Sequence, residues 1–131
     1  MERTSGNMQV VQGFFNGLEA RNTEAMLSAF DENAYWDTPS GGAFSGRFSG
    51  RAGLGRMFKL LTMSRTEGHV VADLTLHADG DRVFAEFTWG TMTDSATRAP
   101  TRSLAVFELV FGKVARVREF EAGPPAVSRE G

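Results

Sequence analysis

The sequence predicts an α+β domain, with helices in its first half and a meander of strands in its second. Three observations carry this reading. Apolar residues recur every three or four positions in three segments of the first half, period-two alternation runs through most of the second, and two turn signals fold that second half into hairpins, Asp79-Gly80 and Phe111-Gly112-Lys113.

The first helix is expected over about Gly6 to Arg21, where Met8, Val11, Phe15 and Leu18 form an apolar stripe that Val10 and Phe14 widen. Asn22 is placed to cap a short second helix in which Ala25, Met26, Ala29 and Phe30 turn inward, with Phe30 closing it. Ala34 to Thr38 alternates as a strand, and Pro39 to Gly42 turns. The Gly-rich stretch that follows reads as a pocket-side loop with Arg47 and Arg51 in solvent. Ser49-Gly50 then caps a third helix that buries Leu54, Met57, Phe58 and Leu61.

Pairing across Asp79-Gly80 sets Leu76 against Val83, Leu74 against Ala85, Ala72 against Phe87 and Val70 against Trp89, a wholly apolar face. His69, Val71, Thr75 and His77 fall on the other side. In the second hairpin a three-residue loop puts Ser103, Ala105, Phe107 and Leu109 on one face with Ala115, Val117, Glu119 and Glu121. Its opposite face carries Leu104, Val106, Val110, Val114 and Phe120 among Arg102, Glu108, Arg116 and Arg118.

Composition narrows the function classes. With 14 basic against 16 acidic residues, there is no positive field to hold nucleic acid or an anionic membrane. The absence of Cys removes disulfides, thiolate catalysis and thiolate zinc sites, and a reducing cytoplasm is the expected location. No apolar run is long enough to span a bilayer, and MERTSGN lacks the apolar core of a secretory signal. One domain is expected over 1–131, with a core from about 8 to 122 and a loose tail at 123–131.

The helices, the Trp36-Asp37-Thr38-Pro39 strand end, the hairpin from Ala78 to Phe87 and the closing stretch from Phe111 to Phe120 resemble the nuclear-transport-factor-2-like superfamily. The resemblance is nearest to its SnoaL-like and ketosteroid-isomerase-like members. It implies a cone-shaped, curved mixed sheet wrapped around the three helices, with an internal pocket. Members of that superfamily are isomerases, cyclases, hydrolases and non-enzymatic binders, so the fold does not fix the activity. The acids of the ketosteroid isomerases match Phe14, Thr38 and Ala105 here, and the polyketide cyclases' Asp also matches Ala105. Of the epoxide hydrolases' polar set, two positions match Phe87 and Trp89, and only the closing-strand carboxylate is kept, as Glu119.

Glu119 is therefore the candidate catalytic residue. A carboxylate among Phe107, Val117 and Phe87 is suited to general acid/base work, and the same residue could instead be a structural partner of Ser103, Arg102 or Arg98. The candidate ligand-binding set is Phe14, Trp36, Thr38, Phe58, Phe87, Trp89, Ala105, Phe107 and Val117, as pocket wall or as plain core. Asp37 alternates with Trp36 and Thr38 and should point outward. His69 and His77, about 26 Å apart along a strand, cannot share a metal, and neither a metal site nor a cofactor is expected. The resulting expectation is a small hydrophobic or aromatic ligand, bound by an isomerase, cyclase or hydrolase using acid/base chemistry or by a non-catalytic ligand-binding or assembly module. A homodimer through the outer sheet face, centred on Leu104, Val106, Val110, Val114 and Phe120, is also expected, both from that apolar patch and from the resemblance.

Overall fold

The computed structural model describes residues 2–39, 46–64, 70–90 and 101–121. Three helices, α1 (Glu2–Glu19), α2 (Thr23–Leu27) and α3 (Gly50–Ser64), pack on one side of a six-stranded sheet. The strands are β1 (Phe30–Thr38), β2 (Gly46–Ser49), β3 (Val71–Asp79), β4 (Arg82–Trp89), β5 (Thr101–Val110) and β6 (Lys113–Glu121). Their spatial order is β2-β1-β6-β5-β4-β3, and only β1 and β6 run parallel. The sheet is mixed, curved and unclosed, an α+β cone around the helices.

The helical stripes fall where their periodicity puts them. Val11, Phe14, Phe15 and Leu18 of α1 and Leu54, Met57, Phe58 and Leu61 of α3 are buried in one core. Asn22 caps α2, its side-chain oxygen accepting from the Ala25 N–H at 3.1 Å. Gly17 lets α2 approach α1, because a Cβ there would lie 3.2 Å from Ala25 and Met26. Phe30 opens β1 rather than closing a helix, since Val114 N–H donates to the Ala29 carbonyl and draws the chain into the sheet.

Within the Gly-rich stretch, Gly46–Ser49 forms a strand, β2. Gly46–Ser49 pairs antiparallel with β1, and Arg47, expected in solvent, clamps Asp37 with two bonds of 2.6 and 3.0 Å. Its guanidinium lies 4.0 Å from the centre of the Tyr35 ring. Asp37 points outward, as the alternation requires. Arg51 forms an exposed pair with Glu24 at 2.8 Å. The Gly41-Gly42 turn, Arg98, His69 and the tail at 123–131 lie outside the described residues.

Both hairpins depart from the simplest register. The first turn sits at Gly80-Asp81, with Asp79 opposite Arg82, so Leu76 faces Ala85 and Ala78 faces Val83. Helix α1 fixes that position: Asn7 Nδ2 donates to the Gly80 carbonyl at 2.9 Å, and Gly80 N–H donates to Thr4 Oγ1 at 3.1 Å. A register shift between Ala72 and Thr75, with Asp73 at φ 55°, then turns Val71 inward opposite Trp89 and leaves Ala72 exposed, the reverse of strict alternation. In the second hairpin Val110 pairs with Lys113 across a two-residue turn of Phe111 and Gly112, at φ 51° and 79°. The register shift lies farther along, between Glu108 and Leu109, so Val114 faces Leu109 and is buried in the core. Val114 is thus not part of the outer face. Beyond the shift, Phe107–Val117, Ala105–Glu119 and Ser103–Glu121 pair as expected.

Candidate functional site

The inner face of the sheet places Glu119 in a row with Ala105 and Ala85, whose small side chains leave the sheet surface low beside it. The ends of β1, β4 and β6 and the start of β5 lie together here, because Trp89 pairs with Thr101, Ser103 with Glu121, and Trp36 with Val117. Glu119 therefore stands on the inner face near the end of the sheet from which these strands leave, with 9 % of its surface exposed.

Its carboxylate is held by three donors. Trp36 Nε1 donates to Oε1 at 3.0 Å; Trp89 Nε1 and Ser103 Oγ donate to Oε2 at 2.7 and 2.9 Å. The indole nitrogens can only donate, so the arrangement is built around an acceptor. Of the cationic partners considered for Glu119, Arg102 is engaged elsewhere, with Thr88, Glu86 and the Asp73 carbonyl. Among the described residues no Lys, Arg or His lies within ion-pair distance of Glu119. A buried carboxylate with hydrogen bonds but no counter-charge is an unusual combination, since buried charges are ordinarily paired.

Below this carboxylate the aromatic residues interlock. Phe14, at the position matching an isomerase Tyr, has the rings of Phe15, Phe30, Trp36, Phe58 and Phe107 around it at 5.0–5.8 Å between centroids. Trp36 meets Phe107 at 5.5 Å, and Phe87 meets Trp89 edge-on at 4.9 Å. Phe14, Trp36, Phe58, Phe87, Ala105, Phe107 and Val117 are all buried, and Trp89 is nearly so. The Thr38 hydroxyl donates to the Gly46 carbonyl at 3.0 Å. Trp36 and Trp89, both in the candidate ligand-binding set, donate their indole N–H groups to Glu119, and Ser103, which was not in that set, donates beside them. The alternation that put Ser103 beside Glu119 was a sufficient signal for it.

A separate groove of about 400 Å³ opens between α1 and β3, bordered by Gln12, Phe15, Asn16, Glu19, Asp73 and Leu74. It shares no residue with the expected lining. On the outer face, Glu108 Oε2 accepts from Arg116 at 2.7 Å and Arg118 at 3.1 Å. Burial pushes the Glu108 carboxyl up, but the Arg116 hydrogen bond and the charges of Arg116, Arg118 and Arg82 outweigh it and hold the group below its ordinary value. Bonds to Tyr35 and Glu108 raise Arg116 correspondingly. Among the described residues there is no group of three or more His, Cys, Asp or Glu able to hold a metal, and no helix long and apolar enough to cross a membrane.

A helix-wrapped, unclosed mixed sheet defines the fold class, and comparison with known proteins agrees with it. Residues 11–117 match the SnoaL-like domain, and the chain belongs to that family. Among solved structures it is similar to an NTF2-like protein from Burkholderia xenovorans LB400, at 21 % identity over 91 % of both chains and a TM-score of 0.76. Bal32a, from a soil-derived mobile gene cassette, is similar at 23 % identity over 91 % of both chains, with a TM-score of 0.75. A protein from Kribbella flavida DSM 17836, provisionally described as a ketosteroid isomerase, shares 22 % identity over 96 % of this chain and 87 % of its own, with a TM-score of 0.68. At these identities the likeness is one of fold. No curated protein matches the chain.

Proposed function

We propose that this SnoaL-like protein binds a small hydrophobic or aromatic molecule at the Glu119 end of the cone, and that Glu119 exchanges a proton with it. Isomerisation, cyclisation and hydrolytic ring opening all need such a group. The observation that carries the reading is the Glu119 carboxylate itself, buried, oriented by Trp36, Trp89 and Ser103, and lacking a cation among the described residues. Groups desolvated and held in this way are suited to proton transfer. Phe14, Thr38 and Ala105, at the positions of the isomerase acids, offer no second acid, so any catalysis rests on one carboxylate. In this reading Trp89, Phe87, Phe107 and Val117 form the wall.

The test is a titration of Trp fluorescence with a diverse panel of hydrophobic and aromatic molecules, in competition with a polarity-sensitive dye. Saturable quenching is expected, and native mass spectrometry should reveal a co-purifying small molecule. A panel without saturable binding overturns the reading. The interlocked Phe14, Trp36, Phe58 and Phe107 rings favour a second reading, a non-catalytic ligand-binding or assembly module. Binding without turnover, unaffected by the loss of Glu119, would support it.

We also propose a homodimer through the outer sheet face, now centred on Leu104, Val110 and Phe120. Val110 and Phe120 are 53 % and 50 % exposed, and Arg102, Arg116, Arg118 and Glu108 surround the patch. Val106, on the same face, is only 7 % exposed within one chain, so a charge there would disturb folding first. Phe120→Glu is the cleaner test: sedimentation should show a folded monomer, and an unchanged dimer would remove this face.

A further inference from the structure

We propose that the molecule bound at Glu119 is a hydrophobic cation with an N–H donor, such as a protonated amine carried on an aromatic or apolar body. The inference rests on the reading of Glu119 as the ligand-facing group and names its substrate class.

The hydrogen-bond inventory of the site leads there. A carboxylate offers about four acceptor positions, and Trp36, Trp89 and Ser103 fill three, leaving one on Oε1. Every donor that faces the carboxylate is already used on it, and the Thr38 hydroxyl is turned to the Gly46 carbonyl. Towards a ligand, these groups therefore present an acceptor and apolar rings. A ketone or an enolate oxygen would find none of their donors free, and its own lone pairs would lie against those of Glu119. A carboxylate ligand would add like-charge repulsion.

Charge gives the same answer independently. The carboxylate is buried among Trp36, Trp89, Ala105 and Ser103 with no cation among the described residues. The outer-face arginines cannot serve it: Arg116 and Arg118 are committed to Glu108 across the sheet. An ammonium head at the open position on Oε1 supplies both the missing donor and the missing counter-charge, in a charge-assisted bond. The indole rings of Trp36 and Trp89 beside the carboxylate suit the rest of such a molecule, since ring faces attract cations and bury apolar surface. Glu119 keeps 9 % of its surface exposed where Trp36 keeps none, so of the two it is the residue a ligand head could reach.

Isothermal titration with one skeleton and four heads tests this: 3-phenylpropylamine, 3-phenylpropan-1-ol, 4-phenylbutan-2-one and 3-phenylpropanoate, all near pH 7. The amine is expected to bind on the order of ten- to a hundredfold more tightly than the ketone. The alcohol should fall between them and the carboxylate last. In Glu119→Gln the advantage of the amine over the ketone should disappear. If that variant fails to fold, raising the salt concentration on the unaltered protein serves instead, because a buried pair keeps its preference where a surface attraction loses it. Equal or tighter binding of the ketone would overturn the cation assignment while leaving the pocket in place. If none of the four binds, and the wider panel fails as well, the site reading itself falls.

Discussion

Replacing Glu119 by Gln keeps the length and shape of the side chain but exchanges one acceptor oxygen for an NH2. If the NH2 takes the place of Oε1, it meets the Trp36 N–H; if it takes the place of Oε2, it meets the Trp89 N–H, and only Ser103 can rotate to accept. Either way at least one buried indole donor faces another donor. A buried donor left without a partner costs about 1–3 kcal/mol, and the two remaining bonds weaken with loss of the charge. Relief from burying that charge offsets part of this, so a net loss of about 1–3 kcal/mol is expected. For a chain of this size that is a fall in Tm of roughly 3–15 °C, readable by circular dichroism on heating and by urea titration with an unchanged m-value. Glu119→Leu leaves both indole donors stranded and should cost more, about 2–5 kcal/mol. A Gln variant as stable as the parent would refute the reasoning, because the three donors would then not be serving a carboxylate.

Two further perturbations probe features away from the site. Glu108 is held below its ordinary carboxyl value of 4.5, so its contribution is present in full above about that pH and is lost as pH falls through the lowered folded value. Glu108→Gln should therefore be less stable than the parent at neutral pH, by less than about 1 kcal/mol for this half-exposed network. The gap should close on acidification, and stability-versus-pH curves that stay parallel would contradict it. Phe111 occupies a left-handed turn position at φ 51° with its side chain fully exposed, at 101 %. Phe111→Asn should stabilise the protein by about 0.5–1 kcal/mol, since Asn-Gly suits such a turn and no packing is lost. A lower Tm would show an unrecognised role for the ring.

What the sequence showed, it showed through period and pairing. The stripes of α1 and α3 and the Asn22 cap are local patterns found where the pattern puts them, and both hairpins form, though with turns displaced from the expected ones. Strand β2 was hidden because its pairing to β1 across Thr38–Gly46 is a tertiary event in a stretch rich in glycine. The register shifts were equally invisible: one is accompanied by a positive φ at Asp73, and the other replaces a longer turn with a two-residue one, which moved Val114 from the outer face into the core. Glu119 survived that error because it lies beyond the shift. Its partners were half legible, Ser103 from alternation but the convergence of Trp36 and Trp89 only from strands distant in sequence, at separations of 83 and 30 residues from Glu119.

The chain has two Trp, both bonded to Glu119, so a 15N-labelled sample should give two indole Nε1–H resonances that report on the central claim directly. The account predicts both strongly downfield and slow to exchange with water. Both should shift on Glu119→Gln, and both should move when a ligand of the proposed site is titrated in. An indole proton that exchanges freely, or a pair of resonances indifferent to the loss of the carboxylate and to every ligand, would contradict it.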